Sequence, residues 1–143
     1  MDPRSAGPND RSEWLRMRTV LWPDDHAVEV DRYLSGGYPN MAVVVFPRAG
    51  GGLAAFAEWA LRPFAEGCDT SPVGYLEGIW VDEDSRRAGR AGSLVALGRE
   101  WCRSRGCAEV ASDCAIDNEA SRQFHLAAGF AEAGRVVCFR ATL

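Results

Sequence analysis

Tyr75-Leu-Glu-Gly-Ile-Trp-Val81, then Asp82-Glu-Asp-Ser85, then Arg86-Arg-Ala-Gly-Arg-Ala-Gly92, then Ser93-Leu-Val-Ala-Leu97: around this stretch the rest of the chain can be organised. The near-continuous apolar run holding Ile79, Trp80 and Val81 has the pattern of a buried strand, and four polar residues stop it. From Ala91 the apolar positions Ala91, Leu94, Val95, Trp101 and Cys102 fall at helical spacing, with Gly98 on the same face. A strand therefore feeds a helix through a loop carrying Gly89 and Gly92. The first N–H groups of a helix have no intrahelical partner, so such a loop gathers donors at one point and suits an anion such as a pyrophosphate. The spacing is not that of the three-glycine dinucleotide fingerprint. No Lys-Ser/Thr follows as a P-loop requires, and the chain contains no lysine.

Working outward, Met1 to Asn9 is rich in Pro and Gly and supplies at most a short edge strand. Asp10 and Glu13 resemble a capping box, and Trp14, Met17 and Leu21 follow at helical spacing until Pro23, which predicts a helix over about Asp10 to Trp22. Asp24 and Asp25 favour a second helix, lined by Val28, Tyr33 and Leu34 and closed by Gly36-Gly37. Met41 to Phe46 and Leu53 to Leu61, joined by a glycine turn, read as an antiparallel hairpin, and Arg62 to Pro72 as a surface loop. After the central strand and its helix come a strand over Cys107 to Asp113, a short helix capped by Asp117 or Asn118, and a last strand within Phe130 to Leu143. The order is that of an α/β domain with a mixed sheet, one domain spanning 1–143.

Composition narrows the partners. A net charge of -4 argues against nucleic acid, whose phosphates need a basic face, and is compatible with a cationic ligand. Five cysteines (Cys68, Cys102, Cys107, Cys114 and Cys138), without a CxxC pair or a histidine cluster, argue against a disulfide framework and against a structural zinc; no metal is expected. The N-terminus has no signal-peptide core and no run is long enough to span a bilayer, so the reading is cytoplasmic, with no membrane partner.

Glu77 stands out because it lies inside an apolar strand, where an unpartnered charge costs several kcal/mol. It needs a partner or a task. Asp113, at the end of the adjoining strand, has the same profile, and strand ends are where ligands gather in open α/β sheets. Two carboxylates there make a site for ammonium groups.

Arg86-x-x-Gly89-x-Ala91 resembles the signature with which the GNAT N-acetyltransferases hold the pyrophosphate of acetyl-coenzyme A. Trp22-Pro23, Cys68-Asp-Thr-Ser-Pro72, Leu76 to Val81, Ala111-Ser-Asp113, and Asn118 followed by His125, Gly129 and Phe130 together resemble the aminoglycoside 6′-N-acetyltransferases of that superfamily, over about Trp14 to Phe139. The resemblance implies the GNAT fold: a mixed central sheet, flanked by helices, in which the parallel strands Val73 to Val81 and Cys107 to Asp113 splay apart around the pantetheine arm. It implies transfer of the acetyl group of acetyl-CoA to the 6′-amine of a cationic aminoglycoside, in a ternary complex, conferring resistance.

By the same resemblance, Ile79, Trp80 and Val81 face the acetyl-CoA arm through their backbone, and Arg86, Arg87, Ala88, Gly89, Arg90, Ala91 and Gly92 hold its pyrophosphate. Asn118 contacts the arm. Trp22, His26, Glu77, Asp113 and Glu132 contact the acceptor, Glu132 standing in for an acidic residue expected at Gly134. Glu77 takes the amine proton, Asp113 grips ammonium groups, and His125 occupies the place of a tyrosine that protonates the leaving thiolate in many relatives. The resemblance also implies a homodimer joined near Val136 to Phe139. Rival readings are another amine acceptor, a non-catalytic acyl-CoA sensor, and an acetylated Cys68 or Cys114 as nucleophile.

Overall fold

Alternation of side chains along two apolar strands decides the architecture. In the computed structural model, which describes residues 1–143, β2 (Met41–Pro47) and β3 (Leu53–Arg62) form the expected hairpin. Val43, Val45 and Phe56 face one side and pack on Trp14, Met17 and Val30 of the helices α1 (Arg11–Leu21) and α2 (Ala27–Leu34). Ala42, Val44, Ala55, Ala57 and Trp59 face the other and meet Leu94, Val95 and Cys102 of α3 (Arg90–Ser104). The period-two pattern thus builds two cores on one sheet.

The central strand β4 (Val73–Val81) pairs antiparallel with β3, and β5 (Val110–Ser112) pairs parallel with β4. With β1 (Arg4–Ser5) beside β2, the order is β1-β2-β3-β4-β5, a mixed five-stranded sheet closed by α4 (Glu119–Ala127). This is the GNAT architecture that the sequence implied.

Several local expectations need correction. Asp10 does not cap α1 with its side chain; the carboxylate accepts from Arg4 at 2.7 and 2.9 Å and from the Gly7 N–H, tying β1 to the start of the helix. Glu13 reaches the Leu53 N–H instead of the cap. In α2 Tyr33 and Leu34 pack inward as expected, together with the fully buried Val30; Val28, two residues before Val30, falls on nearly the opposite side of the helix and is exposed. The strand expected over Cys107 to Asp113 shrinks to three residues. The last strand does not form: residues 130–143 hold no helix or strand, and Val136, Val137 and Phe139 are 66, 78 and 92% exposed. A strand needs an edge to pair with, and β5 offers only a three-residue one.

Asp82, just past β4, joins the α1 side of the sheet to the hairpin turn. It accepts from Arg16 at 2.8 Å, Arg48 at 2.9 Å and the Trp80 indole at 3.0 Å. Burial alone would raise its pKa, but these bonds outweigh it and lower the value to about 2. A carboxyl whose folded pKa is depressed contributes stability above its unfolded pKa and loses it as pH falls through the folded one. Asp82→Asn is expected to cost about 2 kcal/mol at pH 7 in urea unfolding. The difference from the wild-type protein should close between about pH 4 and pH 2.

Candidate active site

Glu77 is one residue more than the β3–β4 ladder can pair. Glu58 stands opposite Gly78 and Trp59 opposite Leu76, so Glu77 forms a bulge. Across it the facing of the strand changes: Leu76 packs towards α3, and so do Ile79 and Val81, three and five residues on. Beyond the bulge the Asp82 N–H bonds Ala54 O at 2.9 Å, so alternation gives the main-chain groups of Gly78 and Trp80 to β3 and turns those of Ile79 and Val81 to the opposite edge. No strand runs there, because β5 pairs only with Gly74, Tyr75 and Leu76. The parallel pair is therefore splayed from Leu76 onward, with the N–H groups of Ile79 and Val81 lining the opening.

At one end of this opening lies the loop before α3. Gly89, at φ 75°, takes the left-handed conformation that starts the helix. The N–H groups of Arg87, Ala88, Gly89, Arg90, Ala91 and Gly92 make no hydrogen bond within the chain. Six successive unpaired donors at a helix N-terminus form an anion cradle. Arg86 lies over the Trp80 ring and donates to Val81 O, while Arg90 donates to Ser85 O, so both brace the loop.

At the bulge the charge is reversed. Glu77 accepts from Arg62 Nε at 2.8 Å and from its terminal nitrogen at 2.6 Å. The Arg62 guanidinium lies 3.5 Å from the centre of the Tyr75 ring, and the Tyr75 hydroxyl donates to Asp113. Hydrogen bonding to Glu77 raises the pKa of Arg62; burial, and then the bond to Asp113, raise that of Tyr75. Glu77 and Asp113 are thus joined through Arg62 and Tyr75. Trp22 forms the adjacent wall: a Cβ on Gly78 would fall 2.4 Å from its ring.

Trp22 is held from below. Arg18 lies 5.1 Å from its ring and bonds the fully buried Glu58 at 2.8 Å, which also accepts from the Trp14 indole. Arg18 donates to His26 Nδ1 at 2.7 Å, and His26 Nε2 donates to Trp22 O at 2.5 Å, since an arginine only donates and a carbonyl only accepts. His26 spends both nitrogens inside the chain.

The Acetyltransferase (GNAT) family profile matches residues 11–130. The chain belongs to that family. Among curated relatives, the aminoglycoside N(6′)-acetyltransferase type 1 of Klebsiella aerogenes is 43% identical over 98% of this chain and 95% of its own. The protein of the same name from Serratia marcescens is 44% identical over 91% of each. Of the solved structures, AAC(6′)-Ih from Acinetobacter baumannii superposes with a TM-score of 0.93 at 33% identity, over 99% of this chain and 98% of that one. AAC(6′)-Iy, solved with the bisubstrate analogue CoA-S-monomethyl-acetylneamine, gives 0.92 at 33% identity, over 99% and 98% of the chains.

Within this GNAT frame the remaining sequence-derived candidates fall in different surroundings. Asn118 caps α4, its side-chain oxygen accepting from the Ser121 N–H at 3.1 Å. His125 contacts Ser121 O at 2.7 Å and the Ser112 hydroxyl at 2.8 Å, between Phe124 and Phe130, and thus clamps α4 to β5. Glu132 is bound to Arg122 and Arg135, and none of its hydrogen bonds reaches Glu77 or Asp113. Arg62 and Tyr75 escaped the sequence reading. Arg62 fell in the expected loop, and only the register Arg62↔Val73, Ala60↔Tyr75 puts it on the face of Glu77.

Gly78→Ala tests the packing of Trp22 on the bulge. The added methyl meets a ring that Arg18 also packs on, so a loss of about 1–3 kcal/mol in urea unfolding is expected.

Proposed function

We propose that this chain, acting as one domain, transfers the acetyl group of acetyl-CoA to the 6′-amine of aminoglycosides by direct attack in a ternary complex, and so confers resistance. The observation that carries this reading is the polarity of the splayed opening. Six free N–H groups suit a pyrophosphate at one end, and the carboxylates Glu77 and Asp113 suit a polycation at the other. Relatives of the same length named for this activity, and a neighbour solved with a CoA-neamine bisubstrate analogue, support the acceptor class.

In this mechanism Glu77 accepts a proton from the 6′-ammonium, directly or through water, and Asp113 binds a second ammonium. The neutral amine attacks the thioester carbon, whose oxygen gains charge towards the N–H groups of Ile79 and Val81. The C–S bond then breaks; the attacking nitrogen gives up its second proton to water and the coenzyme A thiolate takes one from water, because both nitrogens of His125 already have partners in the chain. Trp22 packs against the acceptor. Asn118 and Glu132 remain at the rim in this reading, Asn118 along the acetyl-CoA arm. A covalent route through Cys68 is disfavoured: burial, and then the charge of Glu109, raise its pKa and deplete the thiolate.

We also place the enzyme in the cytoplasm, where acetyl-CoA is made, with neither nucleic acid nor membrane as partner; no helix is long and apolar enough to cross a bilayer. A homodimer that covers Val136, Val137 and Phe139 accounts for the exposure of that run.

Thiol release from acetyl-CoA tests the assignment. Turnover is expected with a kanamycin-type 6′-amine and not with the matching 6′-hydroxyl compound. Binding of acetyl-CoA without turnover of any aminoglycoside would leave an acyl-CoA sensor or another acceptor. Glu77→Gln is expected to lower kcat by about a hundredfold, and Asp113→Asn to act mainly on KM for the acceptor.

A further inference from the structure

The acceptor end of the opening already contains a cation supplied by the chain itself. Arg62 engages both oxygens of Glu77 side-on and covers the face of Tyr75, whose hydroxyl is committed to Asp113. Its only hydrogen-bond partner is Glu77, and its side chain is 42% exposed, so the guanidinium can leave into solvent without breaking any other hydrogen bond. The other arginines near the site are braced differently: Arg18 is tied to buried Glu58 and to His26, and Arg86 to a main-chain oxygen. Arg62 alone sits on the carboxylate that the proposed mechanism uses as base, in an arrangement that an ammonium group reproduces: a charged donor on Glu77 with its positive face on an aromatic ring.

We propose that Arg62 is a built-in competitor for the acceptor's ammonium, occupying the Glu77–Tyr75 cation site and giving way when a polycationic acceptor arrives. This rests on the aminoglycoside reading above. Two consequences follow. While Arg62 is bound, both oxygens of Glu77 are engaged by its guanidinium, so the carboxylate meets the acceptor's ammonium only when the guanidinium gives way. Acceptor affinity is also reduced by the strength of the Arg62–Glu77 pair. A polycation recovers that loss through Asp113 and the general negative charge, while a monoamine has one contact with which to do so.

The experiment compares Arg62→Ala and Arg62→Lys with the wild-type protein, using a kanamycin-type aminoglycoside. Arg62→Ala is expected to lower acceptor KM about fivefold, the size of a partly exposed ion pair, and Arg62→Lys to fall between. Methylguanidine supplies the decisive sign. If Arg62 competes, methylguanidine refills its place in Arg62→Ala and inhibits competitively against the aminoglycoside, with little effect on the wild type. If Arg62 instead orients Glu77, the variant loses kcat and methylguanidine restores it, which overturns the proposal. Calorimetric titration of the aminoglycoside separates this from the functional assignment. A wild type that acetylates no aminoglycoside refutes that assignment, whereas tighter cation binding by Arg62→Ala is read without turnover; equal affinity in the two proteins refutes the competitor role.

Discussion

Glu77 is the extra residue in a ladder that has room for one fewer, and the active opening depends on that mismatch. An inserted residue reverses the facing of everything after it. Without the bulge, Ile79 and Val81 would not pack towards α3 together with Leu76, nor turn their main-chain groups to the edge that β5 leaves free. The same insertion puts Gly78 against Trp22 and Glu77 against Arg62, so one irregularity sets the backbone donors, the carboxylate and the aromatic wall at once. A bulged strand is tolerated here because β3 is held firmly on its other side by the long β2 pairing.

The opening is polarised along its length. The start of α3 contributes partial positive charge through unpaired N–H groups and its helix dipole, without committing a side chain. The other end carries the carboxylates Glu77 and Asp113, and the unpaired edge of β4 lies between the two. The chain overall carries only -4, so this separation is local rather than a matter of net charge.

Arginine supplies all sixteen of the basic side chains. Its planar donor array allows one guanidinium to serve two elements, as Arg16 does between Glu13 and Asp82, and Arg18 between Glu58 and His26. The Arg18 arrangement is the more consequential. It balances a fully buried carboxylate in the centre of the sheet and supports Trp22, so that ring is anchored to the core rather than carried on the loop after α1.

Much of this was legible from local pattern. The hairpin, the central strand and α3 follow from periodicities of two and 3.6 that any short window displays, and the anion cradle follows from glycines between a strand and a helix. Glu77 and Asp113 could be singled out because charge in an apolar strand is costly wherever it occurs. Pairing across the chain was not legible. Val136 to Phe139 has the composition of a strand yet forms none, since a strand exists only beside an edge long enough to receive it. The bulge at Glu77, and with it the placing of Arg62 and Tyr75 around the same carboxylate, depends on the register between β3 and β4. Register is a relation between segments, and no single segment encodes it. Likewise His26 and His125 had the right residue type for chemistry, and only the folded chain decided that Arg18 and Ser112, eight and thirteen residues away, take one nitrogen of each ring while the other meets the main-chain oxygen four residues before it.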